Sequence, residues 1–136
     1  MARTFAIHTD GGARGNPGPA ASGVVIEENG KVVDAFGRFL GENMTNNQAE
    51  YLAVEHALQR AKELGGTHVT LYIDSELISS QLRREYKIKN VELGKIFLRV
   101  WNLMQEFIDV KIITIRREQN LVADAEVNKA IDAAGL

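Results

Sequence analysis

The sequence predicts an α/β fold with a mixed five-stranded sheet, three antiparallel strands followed by two parallel ones, and helices on both faces. Three strand signals open the chain, and Asn29-Gly30, a strong short hairpin signal, joins the second strand to the third. Helical and extended patterns then alternate to the end of the chain, as they do where helices connect parallel strands. Those connections are expected to be right-handed crossovers.

The three opening strands are rich in apolar residues and are predicted at 3–9, 20–28 and 31–39. In the first strand, Phe5 and Ile7 lie on one face, while Ala6, His8 and Asp10 lie on the other. A stretch with four glycines and two prolines follows Asp10, and such residues mark a turn that lets the backbone approach another molecule closely. Asp10 is therefore expected at the carboxyl end of a strand, facing a potential ligand.

A capping box opens the first helix, because Thr45 is placed to accept a hydrogen bond from the first turn and Gln48 to reach back. The helix is expected to continue to Leu64, where Gly65-Gly66 ends it. The remaining elements are a strand, two helices, a strand and a helix, predicted at 68–73, 76–84, 91–108, 110–116 and 121–134. The helix at 91–108 carries an apolar stripe that includes Trp101 and Ile108, and core packing is its expected role.

Composition indicates one globular domain over residues 1–136. The chain contains no cysteine, which excludes disulfides, thiolate-zinc sites and cysteine nucleophiles. No apolar run approaches the roughly 20 residues of a membrane span, and no secretory leader is recognisable at the start. A cytoplasmic monomer without a protein partner is expected.

The formal net charge is −2, so composition alone does not indicate a polyanionic partner. Positive charge is nevertheless concentrated in one stretch, here called the basic segment, whose cations are Arg83, Arg84, Lys87 and Lys89. One hypothesis is that it contacts phosphate groups. The other is that it forms an ordinary solvated helix end.

Four acidic residues recur at related places in the predicted fold. Asp10 and Asp74 follow strands at their carboxyl ends, Glu50 is in the second turn of the first helix, and Asp124 is near the start of the last helix. If the first and fourth strands are neighbours, these carboxylates converge at the carboxyl end of the parallel strands, where open α/β sheets bind ligands. Each acid alone is more often a turn, surface, capping or helix-dipole residue, so their joint placement carries the argument.

Converging carboxylates repel one another unless they are protonated or bridged by cations. Oxygen ligands without histidine or cysteine favour Mg²⁺ or Mn²⁺ over zinc. Two such ions suit the in-line hydrolysis of a phosphodiester. The four acids therefore predict metal-dependent phosphoryl transfer.

Several blocks of the sequence closely resemble type 1 ribonuclease H and occur in the order of that family over nearly the whole chain. They are Thr9-Asp10-Gly11-Gly12 with Gly15-Asn16-Pro17-Gly18-Pro19, Thr45-Asn46-Asn47-Gln48-Ala49-Glu50-Tyr51, Tyr72-Ile73-Asp74-Ser75 with Glu85-Tyr86-Lys87-Ile88-Lys89-Asn90, and Arg117-Glu118-Gln119-Asn120 with Ala123-Asp124-Ala125. The resemblance is to the compact form, which lacks a basic protrusion. It implies a ribonuclease H-like fold and endonucleolytic cleavage of the RNA strand of RNA/DNA hybrids, leaving 5′-phosphate and 3′-hydroxyl ends.

The resemblance also assigns roles to individual residues. Asp10 is expected to bridge two metal ions, Asp124 to help hold the ion that activates water, and Glu50 and Asp74 to complete the other site. Mg²⁺ is the expected ion and Mn²⁺ a substitute. The positions expected to contact the hybrid are Asn16, Thr45, Asn46 and Gln48. Amide and hydroxyl groups of this kind suit 2′-hydroxyls and base edges in a shallow minor groove, although a turn or capping role explains them equally.

The sequence departs from the family at two functional features. Many members carry a histidine in the loop before the last acid, but the histidines here are His8, His56 and His68. Glu118 or Arg117 is a potential partial replacement. The basic handle of some members is absent, since 85–90 leads directly into the next helix, and the basic segment is a potential weaker substitute. Glu126 lies on the opposite side of its helix from Asp124 and is not expected to bind metal.

Three functions remain open from the sequence. The leading one is an active, hybrid-specific ribonuclease. The second is a catalytically silent module that binds hybrid or double-stranded RNA, against which four intact acids argue. The third is a nuclease on the same fold that also cuts double-stranded RNA, which analogy of fold does not exclude.

Overall fold

A computed structural model describes residues 1–135 and contains the predicted mixed sheet with helices on both faces. The strands are β1 (Thr4–Ala13), β2 (Gly18–Glu28), β3 (Lys31–Met44), β4 (His68–Ile73) and β5 (Asp109–Thr114). The α-helices are α1 (Asn46–Glu63), α2 (Glu76–Leu82), α3 (Val91–Met104) and α4 (Leu121–Ala133), and a short 3₁₀ helix spans Arg117–Gln119.

The strand order is β3-β2-β1-β4-β5. Strands β1, β2 and β3 pair antiparallel, whereas β1 pairs with β4 and β4 with β5 in parallel. The parallel strand β4 therefore lies directly beside β1, and the boundary between the antiparallel and parallel parts of the sheet falls at β1. That arrangement confirms the predicted sheet.

Helices α1 and α4 cover opposite faces of β1. A Cβ atom built on Gly11 would meet α1, whereas one built on Gly12 would meet Val127 of α4, and successive residues of a strand point to opposite faces. The main core lies on the α1 face and contains Phe5, Ile7 and Leu71, all with no exposed surface. A smaller cluster joins Ala21 of β2 to Val127 and Ile131 of α4.

All three opening strands are longer than predicted, and β2 begins at Gly18 rather than at residue 20. Strand β1 continues through Asp10 to Ala13 because these residues keep pairing with β2, down to the pair Ala13 and Ala20. Strand β3 likewise continues past Phe39 to Met44, which pairs with Gly18. The predicted turn is therefore confined to the residues between Ala13 and Gly18.

Helix α3 is shorter than predicted, ending at Met104 rather than residue 108. The Ile108 amide instead donates to the carbonyl of Thr67 at 2.8 Å, which leads the chain into β5, and the Ile108 side chain is 75% exposed. Leu93, Ile96 and Val100 are buried as predicted. Trp101 is only half-buried and stacks on Phe97, so the prediction of core packing for the whole stripe was wrong.

Smaller differences concern the ends of two other elements. Helix α2 ends at Leu82, two residues early, because Arg84 adopts the left-handed region with φ of 65°. Strand β5 begins at Asp109 and ends at Thr114. No helix within residues 1–135 combines the length and apolar character needed to cross a membrane.

Candidate active site

Asp10 and Asp74 meet where β4 ends beside β1. The last parallel pair joins Thr9 to Ile73, so Asp10 and Asp74 are the next residues on two adjacent strands. Asp10 lies within β1 rather than at its end, where the sequence pattern placed it, because β1 continues along β2. Because β4 ends at Ile73 while β1 continues, only β4 has its carboxyl end at this position.

Glu50 reaches the same place because α1 crosses β1 very closely at Gly11. A Cβ atom on Gly11 would lie 2.2 Å from the carbonyl carbon of Ala49 and 2.4 Å from the amide nitrogen of Glu50. Only glycine permits this backbone contact. One carboxylate oxygen from each of Asp10, Glu50 and Asp74 lies within 4.8 Å of the others, and these three residues are here called the acidic triad.

Two carboxyl groups of the acidic triad have strongly raised pKa values. Burial, reinforced by the charges of Asp74, Asp124 and Glu50, raises the pKa of Asp10 to about 8. Burial and the charge of Asp74 raise the pKa of Glu50 to about 7, against the opposing effects of Ser75 and Arg117. Three carboxylates this close therefore need a proton or a cation near neutral pH.

Asp124 lines the same cleft but lies outside the acidic triad. It is in the first turn of α4, which packs closely on β2, since a Cβ atom on Gly23 would lie 2.2 Å from the Ala123 carbonyl oxygen. Asp124 contributes to the raised pKa of Asp10. Its Oδ2 accepts a weak hydrogen bond from Asn128 Nδ2 at 3.4 Å. The four predicted acids thus share one cleft, three of them in direct proximity.

The cleft has a volume of about 560 Å³ and is lined mainly by polar residues. Two predicted substrate residues, Asn16 and Asn46, line the cleft and join the turn after β1 to the start of α1. Asn16 Oδ1 accepts from the Asn46 amide at 3.1 Å, and Asn46 Oδ1 accepts from the Ala13 amide at 2.8 Å. Asn47, which the sequence pattern did not single out, also lines the cleft.

The other two predicted substrate residues form the expected capping box. Thr45 Oγ1 accepts from the Gln48 amide at 3.1 Å, and the Gln48 side-chain oxygen accepts from the Thr45 amide at 2.9 Å. Both residues line a second depression of about 330 Å³, together with Asn16 and Asn47. Asn16 lines both depressions, so the four residues follow one continuous polar surface that begins at the acidic triad.

The histidines lie outside the residues that line the cleft. His8 stacks on Tyr72 with ring centroids 4.8 Å apart, and burial lowers its pKa. His56 shares a 2.9 Å hydrogen bond with Ser22, and burial lowers its pKa to about 4. His68 bonds to Thr67. These contacts mark the histidines as packing residues rather than residues of the cleft.

The loop that would carry the family histidine instead places charge near the cleft. Arg117 lines the cleft and its charge lowers the pKa of Glu50. Glu118 lines a neighbouring depression beside Asp74 and pairs with Arg116 at 3.5 Å. Glu126 pairs with Lys129 at 3.3 Å. Of the two suggested replacements, Arg117 is thus the one that lines the cleft.

The sequence pattern gave no sign of the role of Asn120, which is fully buried beside the cleft. Its side-chain Nδ2 donates to the Thr9 carbonyl and to Asp74 Oδ2, each at 2.8 Å. Asn120 belongs to the family-like block Arg117-Glu118-Gln119-Asn120, but no function was predicted for it. Only the strand register and the position of α4 bring its amide to Asp74.

The basic segment does not form a single cationic patch. Arg83 contacts Glu85, the Ile112 carbonyl and Thr114 Oγ1, the last two at 3.3 Å. The Arg84 guanidinium lies 5.2 Å from the centre of the Trp101 ring. Lys87 and Lys89 are exposed. No helix forms within 85–90, as expected for a form without the basic protrusion.

Comparison with known proteins identifies the family. The family described as "Reverse transcriptase-like" matches residues 8–130. The bifunctional protein Rv2228c of Mycobacterium tuberculosis is 35% identical over 130 residues, which are 94% of this chain and 35% of that protein. Ribonuclease HI of Halobacterium salinarum is 39% identical over 126 residues, covering 92% of this chain and 63% of the relative. The chain therefore spans about a third of the length of Rv2228c and somewhat under two thirds of the length of the Halobacterium salinarum relative.

Two solved structures have the same fold as this chain over almost its whole length. The N-terminal RNase H domain of Rv2228c has a TM-score of 0.93 at 33% identity, covering 98% of this chain and 97% of that one. LC11-RNase H1, solved in complex with an RNA/DNA hybrid, has a TM-score of 0.91 at 38% identity, covering 97% and 99%. The fold is thus that of the ribonuclease H-like class. Within this class, the chain belongs to the type 1 ribonuclease H family.

Proposed function

We propose that this chain is a metal-dependent endoribonuclease that hydrolyses the RNA strand of RNA/DNA hybrids and leaves 5′-phosphate and 3′-hydroxyl ends. The observation that carries the proposal is the acidic triad, with Asp124 in the same cleft. Family membership supports the reaction class, and the hybrid complex of LC11-RNase H1 supports the substrate. The chain is proposed to act as one monomeric domain, and a cytoplasmic location stays a prediction.

The donor set fits hard divalent cations. All the acidic groups offer oxygen, and the raised pKa values of Asp10 and Glu50 reflect burial together with the charges of neighbouring acids, both of which a bound cation offsets. Asp10, Glu50, Asp74 and Asp124 are the residues proposed to hold two Mg²⁺ ions, with Mn²⁺ as a substitute. When bound, such a pair supplies an activated water and stabilises the leaving oxygen of a phosphodiester.

The protein groups around the triad prepare it for this chemistry. The charges of all three other acids help to raise the pKa of Asp10, which suits a carboxylate shared by two cations. Asn120 holds one oxygen of Asp74. Arg117 adds positive charge at the edge of the cleft, where it offsets part of the repulsion on Glu50. These contacts fix the carboxylates without supplying a histidine.

The polar surface beside the triad is proposed to bind the hybrid. Asn16 and Asn46 line the cleft, and Thr45 and Gln48 continue from it. An RNA-containing duplex displays 2′-hydroxyls and base edges in a wide, shallow minor groove, which short amide and hydroxyl side chains reach. The internal hydrogen bonds of these residues hold the surface rigid, so their capping and binding roles are compatible.

Labelled substrates test the proposal directly. The protein is incubated with RNA/DNA hybrid, double-stranded RNA, double-stranded DNA and single strands, each in Mg²⁺, in Mn²⁺ and in chelator. We expect metal-dependent cutting confined to the RNA of the hybrid, with 5′-phosphate and 3′-hydroxyl ends. The Asp10→Asn variant is the control for a contaminating nuclease.

Two results would contradict the proposal in different ways. Hybrid binding without cutting in either metal would assign the chain to the silent binding modules. Cutting of double-stranded RNA at a similar rate would mean that the short basic segment accompanies a broader substrate range.

A further inference from the structure

Asn120 connects three of the elements that carry the four acids. Its side-chain amide donates to the carbonyl of Thr9, which precedes Asp10, and to Asp74 Oδ2. Its own carbonyl accepts from the Asp124 amide at 3.1 Å. One buried residue therefore bonds to β1, to the end of β4 and to the first turn of α4.

The orientation of the Asn120 amide follows from its partners. Thr9 offers a carbonyl and Asp74 a carboxylate, both of which are acceptors, so the NH₂ group must face them. The remaining oxygen, Oδ1, is buried and has no hydrogen-bond partner among residues 1–135. A group chosen only for the stability of the fold would not leave a buried acceptor unpaired. The Asn120 side chain therefore makes both of its donor bonds and leaves its acceptor unpaired.

Asn120 also occupies the N-cap position of α4 without acting as a side-chain cap. Asparagine at this position usually accepts a hydrogen bond from the first turn, but the side chain of Asn120 makes no such bond. Asn90 at the start of α3 does make one, to the Leu93 amide at 3.0 Å. The Asn120 side chain is instead directed to the acidic triad.

We infer that Asn120 is a positioning residue for the proposed metal site. It fixes the carboxylate of Asp74 and holds β1 at Thr9, the end of β4 and the start of α4 at a set separation. Hydrogen bonds of this kind to a ligating group orient it before the cation arrives, and losing them typically weakens metal affinity roughly 10–100-fold. The inference rests on the proposed function, because it assumes that the triad binds divalent cations.

Calorimetric titration of Mn²⁺ into protein without nucleic acid tests the inference. We expect Asn120→Ala to bind Mn²⁺ at least about tenfold more weakly than the wild type. Ser22→Ala is the matched control, because it removes a hydrogen bond of another fully buried side chain, the 2.9 Å contact with His56, which involves none of the four acids. Both variants should melt at lower temperature, but Ser22→Ala should keep wild-type Mn²⁺ affinity.

A second variant covers the case in which Asn120→Ala does not fold. Asn120→Ser has a single O–H on a shorter side chain, which does not reach Thr9 and Asp74 together, so a several-fold loss of Mn²⁺ affinity is expected. In folded Asn120 variants, hybrid cleavage should recover as Mg²⁺ concentration is raised, with little change in KM for the hybrid. A loss of thermal stability alone would not produce that recovery.

The outcomes separate this inference from the proposed function. If the wild type binds Mn²⁺ and the folded Asn120 variants bind it within twofold as tightly, Asn120 is only structural and the inference fails alone. If the wild type binds no divalent cation, the proposed function fails and the inference fails with it.

Discussion

The acidic cleft and the basic segment are built in opposite ways. The four acids are widely separated in sequence, yet each is placed by a packed element, and three of them lie within 4.8 Å. The four cations of the basic segment lie within seven consecutive residues, 83–89, yet they enter different environments. Arg83 contacts β5, Arg84 lies over Trp101, and the two lysines are exposed.

The difference shows what makes a cluster of charges into a site. The absence of side chains at Gly11 and Gly23 allows α1 and α4 to pack directly on the sheet, and this packing keeps the acids close despite their repulsion. The basic segment has no comparable support, because it connects two helices and contains a residue in the left-handed region. Contiguity in sequence therefore predicts little about a site, whereas rigid supporting elements predict a great deal.

The largest expected effect comes from removing the charge at the centre of the acidic cleft. Asp10→Asn should lower the rate of hybrid cleavage by at least about 1,000-fold, more than the roughly 10–100-fold typical of residues that only support a ligand. The fold should persist, as measured by circular dichroism. Substantial activity of Asp10→Asn in millimolar Mg²⁺ would refute the assignment of the acidic triad.

A second prediction concerns the packing of α1 on β1 at Gly11, which positions Glu50, rather than the acids themselves. Gly11→Ala should destabilise the protein by about 3 kcal/mol, because the new methyl group meets backbone atoms of α1 that have no room to move. Gly12→Ala is the matched control on the adjacent residue, where the Cβ atom would lie 3.6 Å from Val127 Cγ1. Denaturant unfolding measures both, and equal stability of the two variants would contradict the close packing described for Gly11.

A third prediction concerns stability of the metal-free protein as a function of pH. The pKa of Asp10 is raised from 3.8 to about 8, so between these values the unfolded chain binds fewer protons than the folded one. Stability of the wild type should therefore fall as pH rises through this window. Asp10→Asn lacks this penalty, and Glu50 contributes in the same direction in both proteins.

Thermal melting in chelator measures that effect. The melting temperatures of Asp10→Asn and wild type should be similar near pH 4, with the variant about 4 °C or more higher at pH 8, equivalent to roughly 1 kcal/mol. Added Mg²⁺ should narrow the gap by stabilising the wild type. A difference in melting temperature that is constant with pH would mean that the pKa of Asp10 is not raised in the folded protein.

The smallest expected effect distinguishes residues within the basic segment. Lys87→Gln with Lys89→Gln should weaken hybrid binding and lower the salt slope by about 1 for each phosphate that a lysine neutralises in the wild type. Arg83→Gln should leave the slope unchanged and cost less than about 1 kcal/mol of stability, because its contacts are with β5 and Glu85. An unchanged slope in the double lysine variant would assign the segment to the solvated surface.

Much of the fold could be predicted because local sequence signals agree with the tertiary structure. The hairpin at Asn29-Gly30, the capping box of Thr45 and Gln48, and the strand ending before Asp74 all occur as expected. Placing acids at strand ends then led to the acidic cleft. Its residue-level metal roles remain predictions.

The remaining features depend on contacts between distant residues. The extension of β1 beyond Thr9 requires pairing with β2, and the early end of α3 depends on the bond from Ile108 to Thr67. Asn120 had no distinguishing local signal, since Asp74, which its amide contacts, is 46 residues away in sequence. Composition and periodicity do not contain such information, because it arises only when the elements pack.

Anomalous diffraction from crystals grown with Mn²⁺ and hybrid would test the central claim most directly. We expect Mn²⁺ in the cleft, with density contacting Asp10, Glu50 and Asp74, and a second ion contacting Asp10 and Asp124. Ordered hybrid along the surface of Asn16 and Gln48, with Mn²⁺ absent from the acidic triad or bound only elsewhere, would contradict it.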